Sequence, residues 1–109
     1  MSIVIVGGHE RMESQYKKIC KDHNCKAKVF TKMPVNFKNQ IGCPDLMILF
    51  TSTASHKMVI SALAESEKSK IATTKSQSSS ASALKEILAQ YITQELKVLD
   101  VRGQEFVSN

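Results

Sequence analysis

The chain lacks tryptophan, and aromatic residues make up only 6% of its 109 positions. No series of rings therefore alternates with the bases in the way that stacking on single-stranded nucleic acid requires. Acidic residues are the scarcer charge: ten Asp and Glu against fifteen Lys and Arg leave a net charge of +5. That excess mildly favours anionic partners such as phosphates or acidic cofactors, but the bases are spread along the chain, and nucleic acid is not an expected partner. No apolar run approaches the roughly 20 residues that a membrane span needs. MSIVIVGG also lacks the basic start, long apolar stretch and cleavage site of a signal peptide, so no membrane association is expected and the cytoplasm is the expected location. Cys20, Cys25 and Cys43 are too few, and odd in number, for a disulfide framework. They suit a reducing compartment, and their spacing matches no zinc template.

What is present suits a folded domain. Hydrophobic residues are 42% and charged residues 23% of the chain, too apolar for disorder, and the length allows one hydrophobic core. Residues 3–6 (IVIV) form a β-branched run without polar alternation, which predicts a strand covered on both faces. Met12, Tyr16, Ile19 and Cys20 then mark the stripe of an amphipathic helix ending near Asn24. KAKVFTKM, residues 26–33, alternates Ala27 and Val29 with lysines and predicts an edge strand. PVNFKNQIGCP reads as a loop with one helical turn, and LMILF, residues 46–50, as a second fully buried strand. Ser55 is the expected cap of a helix carrying Val59, Ile60, Leu63 and Ala64; a short strand at residues 71–74 follows. The serine-rich run 76–82 reads as a strand-to-helix loop, because Leu84, Ile87, Leu88 and Tyr91 resume helical spacing at once.

This order predicts an α/β fold: a small parallel sheet of strand order 2-1-3-4, flavodoxin-like or receiver-like, in a three-layer sandwich. Residues 1–95 make a single domain in this reading. Residues 96–109 form a C-terminal tail with β-leaning alternation, expected as an added strand or as an exchanged arm that makes a homodimer.

In such sheets ligands bind beyond the carboxyl ends of the strands, where the strand order reverses. GGHE, TSTASH and KSQSSS all fall there. Gly7 and Gly8 serve either a tight strand-to-helix turn or the cradling of a phosphate. Neither G-x-G-x-x-G nor a Walker A loop is completed, and Glu10 and Glu13 would repel an anion at the first helix. His9 and His56 are either locally bonded first-turn residues or a pair able to act as general base, phosphate acceptor or metal ligand. Ser52, Ser55 and Ser78 are the available nucleophiles, but no carboxylate is placed to orient a histidine, and Asp45 lies at the opposite end of its strand. His23 and Cys25, with Cys43 as the one plausible third ligand, read as a helix terminus rather than a metal site. Met12, Met47 and Met58 read as core fillers.

VGGH before a charged helix, PDLMILFTSTASH, and a serine-rich S-x-S-x-L helix start together resemble the bacterial Domain of Unknown Function 2325 family over residues 3 to about 92. The resemblance implies a small Rossmann-like α/β unit without settled enzymatic activity, and haem binding by histidine in an oligomer, as associated with some members. It carries over Gly7, Gly8, Asp45, Ser55, His56, Ser78 and Ser79. It also implies a histidine after the second strand, where this chain has Thr31, Lys32 and Met33; His9 or Met33 would then serve as the soft ligand.

Three readings of function follow. The leading one is a non-enzymatic ligand-binding or regulatory module that holds a small anionic or planar ligand. Gly7 and Gly8 would allow close approach, His9 and His56 would contact the ligand, and Ser52, Ser55, Ser78 and Ser79 would donate hydrogen bonds. The second is a haem- or metal-binding protein, or a phosphoryl-transfer protein with a phosphohistidine, using His9 or His56. The third is a structural domain whose tail makes the dimer.

Overall fold

The computed structural model describes residues 1–91, so the tail expected as a strand or dimerisation arm lies outside the described residues. Four strands form one all-parallel sheet: β1 (Ser2–Val6), β2 (Lys26–Phe30), β3 (Leu46–Phe50) and β4 (Thr73–Ser76), in the order β2-β1-β3-β4. The helices are α1 (Glu13–Asp22, entered through a 3-10 turn at Glu10–Met12), α2 (Phe37–Ile41), α3 (His56–Ser69) and α4, helical over residues 81–91. This is the α/β architecture and strand order expected, consistent with a flavodoxin- or Rossmann-like fold.

Strand periodicity divides the core in two, because successive side chains point to opposite faces. Ile3 and Ile5 of β1 and Leu46, Ile48 and Phe50 of β3 pack with Tyr16, Ile19 and Cys20 of α1 and Leu84 and Leu88 of α4. Val4, Val6, Met47 and Leu49 point the other way, onto Phe37 and Ile41 of α2 and Met58 and Ala62 of α3. Every side chain of β3 is buried, which is why LMILF shows no alternation. Lys26 and Lys28 of β2 are exposed, as befits an edge.

Two boundaries depart from expectation. β2 stops at Phe30 rather than Met33, because its partner β1 turns away there: Phe30 pairs with Val6, and the Phe30 carbonyl accepts from Gly7 N–H at 2.9 Å. The last strand runs Thr73–Ser76 rather than 71–74. Lys70 ends α3 in a left-handed conformation (φ 54°), and Ile71 N–H donates back to Ser66 O while its side chain enters the second core. Ile71 thus belongs to the helix cap, and the ladder extends to Ser76, whose carbonyl accepts from Thr51 N–H at 2.9 Å. Met47 and Met58 are core residues and Met12 packs against the first core, as expected. No helix among the described residues is long and apolar enough to cross a membrane.

Truncating the fully buried Ile48 to Ala should lower the unfolding free energy by about 2–5 kcal/mol, whereas Val35→Ala, at a position 83% exposed, should change it by no more than about 0.5 kcal/mol. Urea titration of the two variants against the parent checks both.

Candidate functional site

The three loops at the carboxyl edge are tied to one another by main-chain and hydroxyl bonds. Leaving β1, the chain needs two successive positive φ angles, Gly7 at 103° and Gly8 at 87°. A Cβ on Gly7 would lie 2.8 Å from the Phe50 carbonyl, and one on Gly8 would lie 2.6 Å from the Tyr16 ring, so both positions exclude side chains by contact as well as by conformation. Gly8 N–H donates to Thr53 Oγ1 at 2.7 Å, and that hydroxyl donates on to Phe50 O at 3.2 Å. The glycine amides are therefore turned onto Phe30 and Thr53, and close approach is what the pair provides.

The serine loop is joined in the same way. Tyr16, fully buried with its ring 5.4 Å from that of Phe50, donates its hydroxyl to Ser79 O at 2.6 Å. Burial pushes the phenol up from its ordinary value, opposed by hydrogen bonding with Ser79. Ser52 Oγ donates to Gln77 O, and Ser76 Oγ to Ser78 O at 2.8 Å. Ser78 Oγ bonds Ser80 Oγ at 3.1 Å, and Ser80 caps α4 by accepting from Ala83 N–H at 3.1 Å. Ser55 caps α3 as expected, accepting from Met58 N–H at 3.2 Å.

His9 and His56 remain exposed, His9 just ahead of the 3-10 turn and His56 as the first residue of α3. The first turn of α3 contains no acidic residue, unlike the start of the first helical segment with Glu10 and Glu13. Lys32 Nζ lies 2.9 Å from Glu10 Oε1, which brings the loop after β2, including the partly exposed Met33, beside His9's loop. Of the candidate residues, Gly7 and Gly8 are buried in the frame, Ser79 is half-buried, and His9, Ser52, Ser55, His56 and Ser78 line the exposed rim. Sequence reasoning missed Tyr16, Thr53 and Ser80. A tyrosine on a core-facing stripe was the available signal, since a buried phenol requires a partner for its hydroxyl.

Asp45 lies at the other end of the sheet, where its carboxylate accepts from Ser2 N–H at 2.7 Å. Among the described residues no group of three or more His, Cys, Asp or Glu side chains could hold a metal ion. His23 Nδ1 is 2.8 Å from Ile19 O, and Cys25 Sγ donates to His23 O at 3.3 Å, so H-x-C is a helix terminus. Burial, with the neighbouring Cys25 adding to it, pushes the Cys20 thiol up to about 11, and Cys25 shifts upward as well, mainly by burial. His9 and His56 supply exposed nitrogen donors of the kind that haem ligation needs, and neither lines the cavities of about 240 and 310 Å³ beside β4 and β2.

Residues 2–91 match the model of a family described as "Uncharacterized protein conserved in bacteria (DUF2325)". Searches among curated proteins and among solved structures returned no match.

Thr53→Val should destabilise by about 1–3 kcal/mol by orphaning the buried Gly8 N–H, while Thr53→Ser should lie close to the parent in the same urea titration. Between about pH 9 and pH 11 stability should fall, because the Cys20 thiol ionises first in the unfolded chain while the folded state still holds its proton. Cys20→Ala should flatten that slope, read from unfolding free energies at stepped pH. With iodoacetamide at neutral pH the exposed Cys43 should alkylate, and the buried Cys20 and Cys25 only on unfolding.

Proposed function

The chain belongs to the DUF2325 family of uncharacterized bacterial proteins, and we propose that within it this protein is a non-enzymatic ligand-binding or regulatory module, cytoplasmic, that takes a small anionic ligand at the carboxyl edge of its sheet. The observation that carries this reading is the division of labour at that edge. The frame hydroxyls and amides of Gly8, Tyr16, Thr53, Ser76 and Ser80 are occupied within the protein, while the imidazoles of His9 and His56 project from loops pinned to each other. A pinned rim loses little conformational entropy on binding. The fourteen-residue α3, with His56 and Lys57 in its first turn and no acid there, offers main-chain N–H groups and a favourable dipole to an anion. Glu10 and Glu13 direct such a ligand away from the first helix and toward α3.

Phosphoryl transfer through a histidine is the second reading, favoured only by the exposure of both imidazoles. It would need a carboxylate or metal beside them.

Calorimetric titration with inorganic phosphate and, separately, with haemin tests the proposal. Phosphate should bind the parent, and the His9→Ala, His56→Ala double variant should bind it at least about tenfold more weakly, the loss of one or two charge-assisted hydrogen bonds. Equal affinity in parent and double variant would show the site assignment to be wrong. Haemin binding in place of phosphate would replace the anion with a planar ligand.

A further inference from the structure

Cys20 and Cys25 are brought together by the way α1 ends. Asn24 takes a left-handed conformation (φ 60°), its N–H donates to Lys21 O at 2.9 Å, and Cys25 N–H donates to Cys20 O at 2.8 Å. These two bonds and the left-handed residue make a Schellman motif, whose outer pair, here Cys20 and Cys25, commonly meets through its side chains. Both thiols are free and buried, and both side chains belong to the core on the α1 face of the sheet. The charge of a Cys25 thiolate adds to burial in holding the Cys20 proton, which places the two sulfurs within electrostatic reach of each other.

The outer hydrogen bond also sets a distance. With standard bond lengths, 2.8 Å between Cys25 N and Cys20 O limits the Cα separation to about 6.7 Å, inside the roughly 4.4–6.8 Å over which a disulfide closes. An apolar contact is all that the helix end requires of these positions; two thiols add a bond that oxidation can close. Among the described residues they join no third ligand that would make them a metal site. Cys43, the remaining cysteine, is exposed in the loop before β3 and takes no part in this core.

We propose that Cys20 and Cys25 form a redox-modification site, a dithiol that closes to an internal disulfide across the end of α1 by exchange with a low-molecular-weight disulfide such as oxidised glutathione. Cys25, 7% exposed against 0% for Cys20, is the thiol that reacts first. Its thiolate attacks one sulfur of the oxidant and expels a small thiolate, leaving a mixed disulfide. The Cys20 sulfur then gives up its proton and attacks Cys25 Sγ, expelling the second small thiolate. Two protein thiols and one small disulfide become one protein disulfide and two small thiols, which take up the two protons released. Burial keeps both protein thiols protonated, so the exchange passes through local opening of the last turn of α1, the same opening that alkylation requires. Once closed, the disulfide ties that turn to the start of β2 and suppresses the opening. The pair precedes β2 at the amino end of the sheet, so the inference is independent of any ligand at the carboxyl edge.

The test uses the full chain with the exposed Cys43 replaced, Cys43→Ser, which leaves Cys20 and Cys25 as its two thiols. The chain is brought to equilibrium with mixtures of reduced and oxidised glutathione, from both the reduced and the oxidised side. Its mass should fall by two hydrogens without a glutathione adduct, and peptide mapping should find residue 20 linked to residue 25. Because the fold holds the thiols within bonding range, the equilibrium constant for closure should be at least about tenfold larger in the native chain than in the chain unfolded by urea. In the oxidised chain the Asn24 and Cys25 amides should exchange at least about tenfold more slowly, with Ile5 and Ile48 as protected as before. The parent chain should map to the same link, so the result stands if Cys43→Ser disturbs the fold. A glutathione adduct that persists on Cys25, a closure constant no larger than that of the unfolded chain, or an oxidised chain in which Ile5 and Ile48 lose protection would each overturn the proposal.

Discussion

The phenol of Tyr16 is the point on which the carboxyl edge of the sheet depends. Its ring is buried against Phe50 at the end of the central strand β3 and lies against Gly8, and its hydroxyl donates to the Ser79 carbonyl 63 positions along the chain. One side chain thereby fixes the loop after β1 and the loop after β4 with respect to the core. The glycine at position 8 exists in relation to it, because any Cβ there would overlap the same ring. A buried phenol cannot release its hydrogen bonds to water, so the two loops are held for as long as the core is packed.

Around that anchor the hydroxyl-rich loops look less like a donor array than their composition suggests. Thr53 both accepts from Gly8 and donates to Phe50, Ser52 reaches across to Gln77, and the serines between 76 and 80 bond each other and the start of α4. Small polar residues are used here because loops packed against one another must satisfy their main-chain groups without bulk. Among the groups that face outward are the two imidazoles and the first turn of α3.

Much of the architecture was legible because burial leaves a periodic trace. IVIV and LMILF are apolar on both faces, which marks them as central strands, and the lysines of KAKV mark an edge; from these the order 2-1-3-4 follows. Ser55 was legible as a cap because a hydroxyl residue stood immediately before a helical stripe. The misplaced ends of β2 and β4 have a common cause. Where a strand stops depends on where its neighbour turns away or where the preceding helix unwinds, and neither Gly7 acting on Phe30 nor Lys70 acting on Ile71 can be seen in the strand's own residues.

The sequence by itself determined the class of fold, the identity of the central strands and the clustering of polar loops at one edge, because these follow from local periodicity and the chirality of the chain. Which hydroxyls are free and which are consumed, and on which face α4 lies, only the tertiary structure decided. Thr53, Ser76 and Ser78 find partners two or three residues away, but the bonds that join one loop to another, such as Ser52 with Gln77 and Tyr16 with Ser79, span 25 and 63 positions, and no local pattern encodes the partner at such a distance.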